Sequence, residues 1–450
     1  MDYLSWLDFV LSPIYLLIIY QISKNIVKKK IGNNPEYNYY IKGLFFKIFA
    51  GIFLCLIYTL YYNGGDTVNY YSGGVVLVKL MGKDFSQFLT MFLGYGDKTT
   101  WWFFDYTTGW PPVYMYDDEN TFFVIRFISP ILLICFNSYI LGTIILAWLS
   151  YIGVWRLYRF FINFYPNLQK ELAYAVLFIP SVAFWGSGIM KDTITFSATG
   201  WFVYSIYQLF IKKDNRFLNI LAAIISVFLI LKIKPYIFVA LFPGAILWVF
   251  YSKLKNIKSG FQRTVLLPFI FIIGFVLVSF VFSKLSDSLG EFGSVDKMVA
   301  KAQITQEDLK REEAYGKNYY DIGKIENDPM SMLKKAPLAI IAGMFRPFIW
   351  EARNPVMMIS GIENLVMLYF TILLLFKFKI MGFFRHIASD PPILFSFTFA
   401  IFFIFAIGLS TANFGALVRY KIPAIPFYAV TLVFLYNKYK ISKEKKDTNT

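Results

Sequence analysis

PPILFSFTFAIFFIFAIGLS, residues 391–410, runs for 20 residues without one charged side chain. As a helix rising 1.5 Å per residue it spans about 30 Å, the hydrocarbon thickness of a bilayer. Comparable apolar stretches recur at 4–22, 43–61, 122–136, 139–157, 171–187, 194–211, 217–231, 236–251, 264–283, 357–376 and 422–436. The whole chain of 450 residues is 57% hydrophobic and 20% aromatic, and only 16% of it is charged. A soluble domain of this size does not need so much apolar surface. The pattern predicts an all-α polytopic membrane protein, residues 1–450 forming a single transmembrane domain with about 11 to 13 spans.

The charges give the sidedness. Lys28-Lys29-Lys30, Arg156/Arg159, Lys212-Lys213, Lys253/Lys255/Lys258, Lys377/Lys379/Arg385 and Lys438/Lys440 flank the apolar runs as a row of cytoplasmic anchors. The net charge of +16 reads as this anchoring, and no nucleic-acid-binding motif accompanies it. Two long segments then face outward. One, 62–121, contains the amphipathic stretch 71–95, expected to lie in the interface as a helix. The other, 285–356, contains a helix suited to water at 296–317 and a short apolar piece, 337–350, expected to be re-entrant. Segments 122–136 and 139–157 cannot both cross if 62–121 is outside and Arg156 inside. One of them is re-entrant or interfacial, or part of 71–95 dips into the bilayer. The first run, 4–22, reads as a retained span rather than a cleaved signal.

The inventory excludes much chemistry. The only histidine, His386, falls in a basic cytoplasmic loop, so no outward serine–histidine or two-histidine metal centre is available. Cys55 and Cys135 sit inside apolar runs, which argues against a disulfide.

What remains is a set of ionisable groups at the outward ends of the spans, where charge is expensive and usually functional. Asp66 follows Gly64-Gly65, which permit a tight turn. It is either a general base toward a sugar hydroxyl or the cap of the interfacial helix. Lys191-Asp192 opens a helix after the turn Trp185–Met190, and a cation at a helix start makes an anion site. Lys232 and Lys234 share a turn of a few residues. Arg346 and Arg353, with Glu351 between them and Glu363 beyond, offer planar forks for phosphate oxygens. Arg419 and Lys421 precede the last apolar run. Together these residues describe a pocket for a phosphate-bearing substrate.

Gly65-Asp66-Thr67, the Pro180…Trp185…Lys191-Asp192 stretch and Arg419-Tyr420-Lys421-Ile422-Pro423 resemble segments of the GT-C membrane glycosyltransferases. Gly65-Asp66…Tyr70-Tyr71 is also similar to the start of exopolysaccharide and O-antigen polymerases. The resemblance implies an enzyme of cell-envelope glycan synthesis in a bacterial inner membrane, working at its outer face. Its partners would be a polyprenyl-phosphate-linked sugar donor, a glycan or lipid-linked acceptor and the surrounding lipid. It further implies Asp66 as catalytic base with Asp192 as helper. Tyr70, Lys191, Lys232, Lys234, Arg346, Arg353, Arg419 and Lys421 would bind the substrate. The second acidic residue that often neighbours the family's loop aspartate is missing; no metal ligand is assigned and a divalent cofactor is left open. A flippase or transporter for a lipid-linked oligosaccharide is the competing reading.

Overall fold

The computed structural model describes residues 3–94, 98–255, 290–311, 319–323 and 329–448. From the N-terminus run α1 (Trp6–Lys30), α2 (Tyr40–Leu56), α3 (Asp66–Lys83), α4 (Phe85–Phe92), α5 (Val113–Tyr116) and α6 (Glu119–Ile134). Then come α7 (Tyr139–Phe164), α8 (Gln169–Val176), α9 (Pro180–Trp185), α10 (Lys191–Tyr207), α11 (Arg216–Ile233) and α12 (Pro235–Lys255). The C-terminal part has α13 (Val295–Leu309), α14 (Pro329–Lys334), α15 (Ala336–Phe345), α16 (Pro355–Ala388), α17 (Pro391–Ser410), α18 (Phe414–Tyr420) and α19 (Ile425–Asp447). No strand occurs among the described residues, apart from one isolated bridge between Tyr319 and Asn413.

The protein is an all-α polytopic membrane protein. Among the described residues 7 helices are long and apolar enough to cross a bilayer, or 8 if α18 and α19, bent by 67°, form one broken span. Their outer faces carry large apolar side chains in the open, such as Phe9, Ile14 and Leu17 on α1 and Met358, Ile362 and Tyr369 on α16. Water does not tolerate such continuous apolar surface, whereas lipid requires it.

Several expected spans are shorter or broken. The 122–136 run is α6, 16 residues long and not among the candidate spans, while α7 qualifies. The 171–187 run divides into α8 and α9, because Pro180 opens a new helix and Gly186-Ser187-Gly188 ends it. The 194–211 run is α10, 17 residues, followed by a wide turn at Gln208–Lys212. The run at 264–283 lies outside the described residues. The short apolar piece expected at 337–350 is α15, 10 residues, and 71–95 is split by Asp84, which caps α4.

The chain divides into two compact units. The first comprises Met1–Arg156, Ala183–Trp201 and Phe228–Lys234. Here small residues bring helices close. A Cβ on Gly51 of α2 would stand 3.1 Å from both Ser187 and Thr143, and one on Gly188 would stand 2.7 Å from Leu54. On α3, Gly73 faces Ile125 and Gly74 faces Ile128 and Leu132 of α6. The second unit comprises Leu157–Val182, Phe202–Val227 and Pro235–Thr450. Its centre is a ring cluster of Trp248, Phe395, Phe399, Phe403 and Phe427, and α15 lies on α17 through Gly343 and Gly408.

Candidate functional site

In the first unit the sequence Asp118-Glu119-Asn120-Thr121 starts α6 as a polar helix start should. Asp118 is the N-cap, accepting from the Asn120 N–H at 3.2 Å, and Glu119 occupies the first turn, where the helix dipole favours an anion. Thr121 Oγ1 also donates to the Asp118 carboxylate. Three lysines from two other helix ends meet this start and the adjoining Asp192. Lys191 Nζ lies 3.3 Å from Asp118 Oδ2 and 2.5 Å from Thr121 Oγ1. Lys232 pairs with Glu119, and Lys234 Nζ lies 2.5 Å from Asp192 Oδ1.

The three pairs differ in their access to water. Lys234 and Asp192 side chains are 6% and 0% exposed, whereas Lys191 and Asp118 are 18% and 48%, and Lys232 and Glu119 are 29% and 70%. Asp192 and Lys234 are therefore buried against each other, away from water. The other two pairs are solvent-screened and individually weak, worth about 0–1 kcal/mol each. An incoming anion can displace a screened carboxylate from its lysine at little cost. Burial pushes the Asp118 carboxyl up, but Lys191 and the Thr121 and Asn120 donors outweigh it and hold the group below its usual range.

Asp66 is elsewhere in the same unit. It is the first residue of α3, not its cap; Gly65 holds the capping position with φ +114°, after Gly64 at +143°. These are backbone conformations that favour glycine, and the Gly65 backbone also approaches the Tyr58 ring so closely that a Cβ would stand 2.8 Å from it. The α3–α6 contacts run antiparallel. Tyr71 donates to the Asn137 carbonyl at 2.7 Å and Tyr139 to Thr67 Oγ1 at 3.0 Å, while Gly73 meets Ile125. Asp66 thus lies toward the C-terminal end of α6, whereas Asp118 caps its N-terminal end. Lys191 and Lys232 pair at the opposite, N-terminal end of α6. Tyr70 is buried. The exposed rings of this region are Trp102, Tyr106, Trp110 and Tyr114, on a segment held to α3 by the Lys83–Asp105 ion pair at 2.8 Å.

The second unit gathers a different set. Arg346 ends α15 and forks onto Glu351, with Nε 3.0 and 3.1 Å from the two carboxylate oxygens. Its guanidinium carbon lies 5.0 Å from the ring centroids of both Tyr320 and Phe414, which stack at 5.3 Å. Lys421, fully buried at the bend before α19, donates to the carbonyls of Met344 and Arg346 at 3.1 and 3.0 Å and to Asn364 Oδ1 at 2.7 Å. Glu363 accepts from the Ser181 N–H at 2.7 Å. Arg353 is exposed, and Arg419 is half-buried over the Tyr420 ring. Arg346 and Lys421 come together; both spend their donors on protein oxygens.

Three functional-looking residues escaped the sequence reading. Asp118 and Glu119 were readable as a helix start, but their pairing with Lys191 and Lys232 spans more than 70 residues of chain. Lys47, buried within the run 43–61, donates to the Gly186 carbonyl and lies 3.5 Å from Ser187 Oγ. A lone lysine inside an apolar run was the available signal for it. Among the described residues no group of three or more histidine, cysteine, aspartate or glutamate side chains is placed to hold a metal ion. No protein-family model, curated protein or solved structure matches the chain.

Proposed function

We propose that this protein is a glycosyltransferase or glycan polymerase of cell-envelope synthesis. It takes a sugar from a polyprenyl-phosphate-linked donor to a glycan or lipid-linked acceptor at the outer face of a bacterial cytoplasmic membrane. The observation that carries this reading is the pair of screened lysines, Lys191 and Lys232, held at one helix start by carboxylates that an arriving phosphate displaces. Lys191 is also the first residue of α10, whose N-terminal dipole favours the same anion. Neutralising the departing lipid phosphate is where most of the rate enhancement lies. The exposed rings of Trp102, Tyr106, Trp110 and Tyr114 supply apolar faces for sugars.

The test is turnover of a labelled polyprenyl-phosphate sugar by purified protein in nanodiscs, set beside flux in proteoliposomes. A charge-assisted contact is worth about 1.5–3 kcal/mol, so the double variant Lys191→Met/Lys232→Met should lose roughly a hundredfold or more in kcat/KM. Full transfer by that variant ends the assignment. One observation favours a second reading, a lipid-linked oligosaccharide flippase: the same two ion pairs tie α10 and α11 to α6, and such ties can open and close a path. Flux without transfer would select it.

A further inference from the structure

The reaction proposed above needs a proton acceptor beside the lipid phosphate. A general base must come within about 2.6–3.2 Å of the hydroxyl it deprotonates, or act through one water. Asp66 opens α3, which runs antiparallel to α6 and carries it toward the C-terminal end of α6. Asp192 is sealed on Lys234 with no exposed surface. Two carboxylates remain at the lysines, Asp118 and Glu119. Glu119 is 70% exposed and ion-paired with Lys232. Asp118 is fixed at both oxygens, accepting the N-cap bond from the Asn120 N–H on Oδ1 and a bond from Thr121 Oγ1 on Oδ2.

We infer that Asp118 is the proton acceptor of the transfer and that the lipid phosphate itself unmasks it. The inference rests on the reading of Lys191 and Lys232 as the phosphate contacts. In the free protein Asp118 Oδ2 and Thr121 Oγ1 share the Lys191 ammonium. The donor's phosphate takes that ammonium, and Oδ2 is left facing the acceptor hydroxyl. The hydroxyl oxygen then forms its bond to the sugar's anomeric carbon as the bond from that carbon to the phosphate oxygen breaks. The bonding pair leaves on the phosphate, against Lys191 and Lys232, and the hydroxyl proton passes to Asp118. With its cation occupied, the carboxyl loses the neighbour that most strongly depresses its pKa and becomes a better proton acceptor. The base is thus weak until the donor is bound.

Asp118→Asn separates this role from a structural one, because asparagine caps helices as well as aspartate does. The variant should fold, bind the donor and lose transfer by a hundredfold or more. Asp118→Glu should recover part of the rate. A second measurement does not depend on turnover: binding of polyprenyl phosphate alone. Removal of the competing carboxylate should tighten it roughly two- to fivefold in Asp118→Asn, the worth of a screened ion pair. Transfer within threefold of the native rate, or unchanged polyprenyl-phosphate affinity, overturns the inference. If the native protein transfers no sugar, the parent reading fails, and the affinity comparison still decides whether phosphate and Asp118 compete for Lys191.

Discussion

The two compact units treat buried and half-buried cations in opposite ways. In the second, the Lys421 ammonium is buried on two carbonyls and an amide oxygen, and the Arg346 guanidinium forks onto Glu351 beside two rings. In the first, the lysines grade outward from Lys234, buried with Asp192, to Lys191 and Lys232, whose carboxylate partners are 48% and 70% exposed. The difference teaches where a ligand can enter. A cation already satisfied by buried neutral oxygens gains little from a phosphate and would strand its former partners. A cation paired with a water-exposed carboxylate releases that partner to solvent without penalty.

The comparison breaks most visibly at the sealed pair. Asp192→Ala leaves Lys234 as an uncompensated buried charge and should cost about 3–5 kcal/mol of stability. The double variant Asp192→Leu/Lys234→Met should recover most of it, since replacing both partners removes the unpaired charge. Thermal unfolding in detergent of the single and double variants reads this directly. A double variant that is stable yet inactive would show that the pair does more than hold α10 to the end of α11.

A smaller effect is expected in the second unit. Arg346→Lys keeps the charge but loses the planar fork onto Glu351 and the packing on Tyr320 and Phe414. The loss should be about 1–2 kcal/mol. If Arg346 serves only the fold, donor affinity measured at a temperature well below unfolding should stay as it was. A tenfold loss of affinity instead would move the phosphate contact to this unit.

Much of this was open to the sequence alone. Runs such as 391–410 and 139–157 announced spans because a bilayer imposes length and apolarity together. Pro180, Gly186 and Gly188 marked a break in 171–187 that the length of the apolar run concealed. Lys191, Lys232 and Lys234 were conspicuous as cations where positive charge is unexpected. Their partners were not, because Asp118 and Glu119 look like an ordinary helix start until tertiary folding brings the lysines to them. The same limit hid the surroundings of Asp66: its place after paired glycines is local, whereas its position along α6 depends on α3 returning antiparallel beside that helix.

The finest test of the contrast is acid. Asp118 is held below the usual carboxylate range, burial being outweighed by Lys191 with Thr121 and Asn120. A carboxyl depressed in the folded state contributes stability above its unfolded pKa, about 3.9, and loses it as the pH falls through the folded value. Lys191→Met removes the cation while burial stays, so the folded pKa rises and that contribution shrinks. The gap in stability between the native protein and Lys191→Met should therefore be open at neutral pH and close as the pH falls below about 4. For a pair this exposed it should not exceed about 1 kcal/mol. Polyprenyl phosphate at saturating concentration should reduce the same gap at neutral pH if it takes Lys191 from Asp118, since the ion pair is then broken in the native protein too. A gap that ignores both acid and phosphate would place the worth of Lys191 in its packing and its bond to Thr121, not in its charge.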